Sequence, residues 1–275
     1  MRRMLICGVL FFSLCLSLSA QTGLKITVEE NDGKLTIISS QGKIKELIIP
    51  ESVNGKPIVA IGEGAFTRKG LTLVTIPDSV TEIGDGAFSY NELTTLVIGN
   101  NVETIGRGAF SHNKLDDLTI GTGVKFIGMG AFADNQLVRV TLPSGVTSIE
   151  AYAFFFNKIK DVTIPDEVTA IGEGAFSNNR ISSVVIGNSV AEIGDGAFFD
   201  NRLTSIAIPG SVSALGKRVF ESRLTRRGAV PPVDYLDETG DVLYTTANNF
   251  DTYYAAAGKK PGKYTYSRNG WALEE

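Results

Sequence analysis

The 275-residue chain has little of the chemistry on which most enzymes and metal-binding proteins depend, since it contains one histidine and two cysteines. One histidine leaves too little for a histidine-based metal cluster or a Ser-His-Asp triad. Basic residues are not in excess either, because 26 Lys and Arg stand against 30 Asp and Glu, for a net charge of −4. A nucleic-acid-binding protein needs a basic face to neutralise phosphates. The composition therefore disfavours a conventional enzyme, a metal site and a nucleic-acid partner.

Both cysteines, Cys7 and Cys15, lie in an N-terminal segment that is typical of a secretory signal peptide. Arg2–Arg3 precede the apolar run Leu5–Leu18, and the small residues Ser19–Ala20 follow. The run is too short to cross a bilayer, which takes about 20 residues, and no later stretch is longer. We predict cleavage after residue 19 or 20, which leaves a mature chain without disulfides, thiolate nucleophiles or a transmembrane segment. Lipidation of the second cysteine is the alternative, although a bulky leucine precedes it.

The rest of the chain is dominated by a repeat with a period of 22 residues. Each copy follows the frame L-x-x-L-x-I-(P/G)-x-x-V-x-x-I-G-x-G-A-F-x-x-N, and the phenylalanine returns without an insertion at Phe66, Phe88, Phe110, Phe132, Phe154, Phe176, Phe198 and Phe220. A fixed period near twenty with this apolar core predicts a leucine-rich-repeat solenoid. We expect a β-rich fold of about eight coils, with short strands and tight corners.

Each frame position has a physical role in such a stack. The alternation at the start of each copy predicts a short strand with one buried face, which Pro or Gly then ends. Gly106-x-Gly108 and its equivalents predict a corner with positive φ or close backbone approach. The asparagine that ends each copy has two possible roles. Its side-chain amide can bond backbone groups that a tight corner leaves unpaired. Alternatively, the stacked asparagines form a ladder of side chains that binds a ligand. The residues in question are Asn91, Asn113, Asn135, Asn157, Asn179 and Asn201.

Stacked coils expose their core at both ends, so caps are required. Asn31-Asp32-Gly33 and Asn269-Gly270 predict a hairpin near each end, Asn54–Ile58 is an insertion in the first coil, and residues 249–258 suit a short helix. The predicted organisation is a signal peptide at 1–20, an N-terminal β-hairpin cap with the first partial repeat at 21–57, the solenoid at 58–223 and a Tyr-rich C-terminal cap at 224–275.

The frame I-P-x-x-V-x-x-I-G-x-G-A-F, with the N-G-K-P-I insertion in the first coil, resembles the BspA-like, treponemal-type leucine-rich repeats over residues 44–223. This resemblance implies an exported protein at the cell surface, secreted or in the periplasm. It also implies attachment to host matrix proteins, to other bacteria or to epithelial cells. The family motif contains no catalytic residues, so the resemblance implies a non-enzymatic protein-interaction module that needs no cofactor.

One candidate binding surface is the outward face of the predicted strands, on the side that we expect to be concave. Its central column is short, β-branched and nearly uncharged, which suits an extended peptide or a protein surface. Alternatively, β-branched residues are there only because they favour strands. This threonine column consists of Thr75, Val97, Thr119, Thr141, Thr163, Val185 and Ala207, with Arg139 beside Thr141.

A second candidate is a set of aromatic residues outside the core frame, in the coil where Glu150 and Tyr152 replace the two glycines. Exposed aromatic rings are favoured anchors at interfaces, although these rings could instead fill gaps between corners. The set consists of Tyr152, Phe155, Phe156 and Phe199, with Tyr90 at the Phe156 position of an earlier coil. Aromatic platforms also bind sugars, so carbohydrate recognition is an alternative function.

The remaining polar residues that could bind a ligand or a cation are better explained as solvated surface residues. His112 lies alone on a corner, and the recurring acids Glu63, Asp85, Glu173 and Asp195 do not provide the six to eight oxygens that calcium needs. The sequence therefore predicts a protein-binding module. Its use as an adhesin and its use as a periplasmic or envelope scaffold for bacterial partners both stay open.

Overall fold

Each 22-residue copy forms one coil of a β-solenoid, and short strands lie on two opposite sides of the stack. The computed structural model describes residues 14–17, 24–221, 262–267 and 270–273, and these ranges contain strands and turns but no helix. In chain order the strands are β1 (Leu14–Ser17), β2 (Lys25–Asn31), β3 (Lys34–Gln41), β4 (Glu46–Ile48), β5 (Ser52–Val53), β6 (Lys56–Ile61), β7 (Leu73–Thr75), β8 (Glu82–Ile83), β9 (Thr95–Val97), β10 (Thr104–Ile105), β11 (Asp117–Thr119), β12 (Phe126–Ile127), β13 (Ser148–Ile149), β14 (Asp161–Thr163), β15 (Ala170–Ile171), β16 (Ser183–Val185), β17 (Glu192–Ile193), β18 (Ser205–Ile208), β19 (Ala214–Leu215), β20 (Gly262–Ser267) and β21 (Gly270–Leu273).

The strands form two kinds of sheet. One side carries a continuous sheet, here called the long sheet, in the order β1-β2-β3-β6-β8-β10-β12-β13-β15-β17-β19, with β5 paired to β6. The other side, here called the segmented sheet, consists of β11-β9-β7-β4, then β14-β16, then β18-β20-β21. Consecutive coils pair in parallel at equivalent frame positions, as Ile105 does with Ile127. The repeat period therefore sets the register of both sheets.

The phenylalanine of each coil lies in the core, as predicted. All eight are at most 2% exposed. Neighbouring rings stack with centroids 5.1 to 5.6 Å apart and planes within 15° of parallel. This spacing is close to the strand separation of about 4.8 Å, so the rings repeat with the coils and form one continuous column.

The glycine corner also has the expected geometry. A Cβ added at Gly106 would lie 2.6 Å from the backbone carbon of Gly84 in the preceding coil. Gly108 has a φ of +58°. The first glycine therefore permits close stacking and the second permits the left-handed turn. Where other residues take the second position, Tyr152 and Arg218 still adopt φ values of 59° and 58°.

A second corner, two residues after each phenylalanine, was not predicted. Its residues adopt φ between 55° and 59° although none is glycine: Arg68, Tyr90, His112, Asp134, Phe156, Asn178 and Asp200. Such a φ is strained for bulky side chains, so the surrounding structure must impose it. The amide N–H of Tyr90 donates to Ser111 of the next coil at 3.0 Å, and equivalent bonds recur along the stack.

The asparagine that follows this corner bonds the backbone on both sides. Asn113 Oδ1 accepts from the Leu93 N–H at 3.0 Å, and Asn113 Nδ2 donates to the carbonyls of Phe88 and Phe110 at 3.0 Å. All six asparagines are 6 to 8% exposed. Their amides are occupied by backbone groups, which supports the structural role and not the ligand ladder.

Strand pairs flank the repeats at both ends. β2 and β3 form the hairpin expected at Asp32–Gly33, β3 pairs in parallel with β6, and β1 lies antiparallel to β2 within the segment interpreted as a signal peptide. Toward the C-terminus β20 pairs antiparallel with both β18 and β21. The helix expected at 249–258, the cleavage point and Cys7 lie outside the described residues. The boundaries of the four predicted regions stay a prediction.

Candidate interaction surfaces

The threonine column lies on the outward face of the segmented sheet. In each coil the neighbouring residue points inward, as Val74 and Leu96 do with exposures of 0%. Thr75 is half-buried, whereas the rest of the column and Arg139 are exposed, and Val185 has an exposed fraction of 57%. Sequence analysis missed Ile48, which extends the column by one coil and is 68% exposed. Its signal was present, because β4 belongs to the first partial repeat.

The segmented sheet is interrupted at the coil that carries Arg139 and Thr141. This coil forms no strand on this side, so no strand lies between β11 and β14. The backbones of Val140, Thr141 and Leu142 make no hydrogen bond to other backbone groups, in contrast to the equivalent residues of the earlier coils. The long sheet remains continuous across the same coils through β12, β13 and β15. The strand positions of this coil keep the repeat frame and did not predict the interruption, whereas the departures of this coil, Glu150 and Tyr152, lie at the glycine corner.

A groove of about 920 Å³ lies on this face beside the interruption. It is lined by Val140–Leu142, Asp161–Glu167 and Val185–Asn188, with Ser144 at one side. Val140 is only partly buried, as is Leu118 one coil earlier, whereas Val74 and Leu96 at the same frame position are fully buried. The groove thus combines exposed threonine hydroxyls, apolar surface and backbone groups without partners in the described part of the chain.

Three of the predicted aromatic residues lie together. The ring of Phe155 contacts those of Tyr152 and Phe156, with centroids 5.8 and 5.9 Å apart. Phe156 is 56% exposed and Tyr152 is 37% exposed, whereas Phe155 is half-buried. The Tyr152 hydroxyl donates to the Glu173 carboxylate, and this hydrogen bond, partial burial and the Glu173 charge raise the pKa of Tyr152. The Tyr152 ring is therefore held against the next coil.

The other two predicted aromatic residues lie in different surroundings. Phe199 is half-buried, with the Arg218 guanidinium 4.7 Å from its ring centroid. Tyr90 belongs to a stack at the second corner, here called the corner stack, which sequence analysis missed. In it Arg68 lies 4.6 Å from the Tyr90 centroid, His112 stacks on Tyr90 at 4.3 Å, and His112 Nδ1 lies 2.7 Å from Asp134 Oδ2. Their regular spacing of 22 residues was the available signal.

The two aspartates of the glycine corners bond the backbone. Asp85 Oδ1 accepts from the Arg107 N–H at 2.7 Å, and Asp195 Oδ1 accepts from the Lys217 N–H at 2.8 Å. Within the described ranges no group of three or more His, Cys, Asp or Glu is placed to hold a metal ion. A search of the same ranges finds no helix with the length and apolar character to span a membrane.

We expect the chain that lacks residues 1–20 to unfold at the same temperature with and without EDTA. Burial and backbone bonding within the coils supply its stability, as the occupied asparagine and aspartate side chains indicate. Thermal melts followed by circular dichroism measure this, with and without the chelator. A midpoint several degrees lower in EDTA would contradict the expectation.

Comparisons with known proteins give the same architecture. The family profile of the BspA type leucine rich repeat region matches six copies, within residues 37–157 and 103–226. A leucine rich cell surface protein from Faecalibacterium prausnitzii A2-165 is 27% identical with a TM-score of 0.52, over 90% of this chain and 59% of that one. The chain thus spans 59% of that protein's length.

A second solved structure, the T. pallidum leucine rich repeat protein, is 20% identical with a TM-score of 0.54, over 72% of this chain and 86% of that one. At this identity the likeness shows the fold alone. No curated protein matches the chain. The repeat frame, the stacked coils and the profile match over most of the chain agree, and the chain belongs to the BspA-type leucine-rich repeat family.

Proposed function

We propose that this chain is an exported, non-enzymatic module that binds a protein partner on the outward face of the segmented sheet. The observation that carries the proposal is the groove beside the interrupted strand ladder. A face of this kind can accept an extended segment, because main-chain groups supply affinity while neighbouring side chains select the partner.

The composition of the column supports a protein as the occupant. Ile48, Val97 and Val185 are the exposed large apolar residues of this face, and threonines separate them. Interface centres are depleted in charged residues, whereas polar groups with satisfied hydrogen bonds lie around them. An uncharged column flanked by Asp161 and Arg139 fits that arrangement.

The same surface suits a host matrix or cell-surface protein, which would make the chain an adhesin. Support comes from the predicted signal peptide and from the relative described as a leucine rich cell surface protein. Digestion of intact cells with an external protease tests this location. Cleavage supports the adhesin, whereas protection until the outer membrane is opened favours an envelope scaffold with bacterial partners.

Carbohydrate binding is a second candidate, favoured by the exposed rings of Tyr152 and Phe156. The Tyr152 hydroxyl is already bonded to Glu173, which leaves the ring faces as the available surface. Phe156→Ser would therefore weaken binding to an immobilised glycan and leave protein binding unchanged.

The central test of the protein-binding proposal is Thr141→Glu. This change adds a charge beside the groove at an exposed position, and we expect it to weaken binding to an immobilised extracellular-matrix protein about tenfold or more, with folding retained. Surface plasmon resonance measures the affinity, and circular dichroism checks the fold. Thr169→Glu is the matched control, because Thr169 is exposed but does not line the groove. Equal affinities of the two folded variants and the parent would place the partner elsewhere.

A further inference from the structure

The long sheet presents a second face whose chemistry differs from that of the threonine column. A groove of about 570 Å³ runs along it from Thr36 to Glu150 and crosses the coils of β6, β8, β10 and β12. This volume lies within the range of about 300–1,000 Å³ that is typical of ligand pockets. Sequence analysis assigned no binding role to this face.

One end of the groove is apolar. Phe126 and Met129 both line it and are 37% and 41% exposed. In neighbouring coils the Phe126 position holds Thr104 and Ser148, and the Met129 position holds Arg107 and Ala151. An aromatic ring and a flexible thioether thus replace polar or small side chains at adjacent surface positions. Such a pair suits the burial of a partner's apolar side chain, to which methionine adapts readily.

The rest of the groove is acidic. Four carboxylates line it against one basic side chain, that of Arg107, and they belong to Glu63, Glu82, Asp85 and Glu150. No lining carboxylate forms an ion pair within the described part of the chain. Glu150 accepts from the Ser148 hydroxyl and Asp85 accepts from the Arg107 backbone N–H, so neutral donors contact these two carboxylates.

We infer that this groove, here called the acidic groove, binds a cationic, amphipathic segment of a partner protein. An apolar side chain of that segment would contact Phe126 and Met129, and lysine or arginine would face Glu82 and Glu63. Glu82 and Phe126 lie two coils apart, about 10 Å, which an extended chain spans in about three residues. A second copy of this chain is disfavoured as the occupant, because two acidic surfaces repel each other.

The test uses a fluorescent peptide in which lysine alternates with leucine, and anisotropy measures its binding to the chain that lacks residues 1–20. Matched peptides replace lysine by glutamate or leucine by glycine. We expect the lysine–leucine peptide to bind about tenfold or more tightly than either, with an affinity that falls as salt rises. Equal affinity of the glutamate–leucine peptide would overturn the inference.

Variants locate the site. Glu82→Lys and the double change Phe126→Ser with Met129→Ser should each weaken peptide binding about tenfold. Glu192→Lys is the matched control, because Glu192 has the same frame position, five coils away and outside the groove. If Glu192→Lys weakened binding as much as Glu82→Lys, the attraction would be a property of net charge and not of this groove.

This site is independent of the proposed function on the segmented sheet. Thr141→Glu should bind the peptide like the parent, because Thr141 lines the other groove. Loss of peptide binding in Thr141→Glu would overturn the assignment to the long sheet. Failure of the matrix-protein experiment has no bearing on the peptide result, so the two proposals can be rejected separately.

Discussion

Phe132→Ala is expected to lower the free energy of unfolding by about 3–5 kcal/mol, through the lost transfer energy of the ring and the cavity that remains. Phe132 is fully buried and stacks between Phe110 and Phe154, at 5.4 and 5.3 Å. Strand pairing in the long sheet, from β10 through β12 to β13, holds the neighbouring coils at a fixed separation and limits their collapse into the space. Urea unfolding followed by circular dichroism measures the loss.

Phe156→Ala is the matched control for that experiment. It removes the same kind of ring at a surface position. Phe156 lies two residues after the core residue Phe154 and is 56% exposed. The expected loss is below about 1 kcal/mol, since surface substitutions away from packed features change stability little. Similar small losses in the two variants would contradict the stacked-core arrangement, because an exposed ring loses little on truncation.

Asn135→Ala is expected to cost about 2–4 kcal/mol, because each buried backbone group left unpaired costs about 1–3 kcal/mol and partial relaxation recovers some of it. Its amide accepts from the Leu115 N–H at 3.0 Å and donates to the carbonyls of Phe110 and Phe132 at 3.0 and 3.1 Å. The change removes these three bonds, a longer one to the Ala133 carbonyl at 3.3 Å, and the support of the strained Asp134 corner. The same urea titration measures it.

Asn188→Ala provides the comparison for the asparagine. The Asn188 amide lies in an exposed contact and donates to Asp166 Oδ1 at 3.2 Å. Water can replace that bond, so we expect a change within about 0.5 kcal/mol. If Asn135→Ala were as mild as Asn188→Ala, water would be replacing the buried amide and the asparagine would not stabilise the corner.

Much of the candidate site could be predicted from the sequence, because alternation along a strand decides which residues face outward. The threonine column followed directly, since Val74 and Leu96, each next to a column member in its strand, point inward. The aromatic set was harder to predict. Tyr152, Phe155 and Phe156 lie close in the chain and also in space, whereas Phe199 lies against Arg218. Sequence spacing does not reveal which neighbour covers a ring at a corner.

Sequence alone determined the coil, its register and its core. Identical copies that stack in parallel give each phenylalanine the same neighbours, so a strict period of 22 residues leaves one arrangement that buries all of them. The roles of Gly106 and Asn113 could be predicted for the same reason. Each stands at a corner that recurs in every coil, and few other residues fit the backbone geometry of that corner.

Only the tertiary structure decided where this regularity is broken and what the breaks bring together. The unpaired segment Val140–Leu142 keeps the strand frame of its neighbours, and its coil departs from the frame only at the far corner, at Glu150 and Tyr152. The left-handed φ of Tyr90 opposes the local preference of that residue. A backbone hydrogen bond to the next coil holds the φ of Tyr90, and the absence of such bonds at Val140–Leu142 breaks the sheet. The acidic groove likewise joins Glu82 to Phe126 across two coils. Such contacts depend on how the coils stack. A local sequence pattern predicts the stacking only where every copy has the same frame.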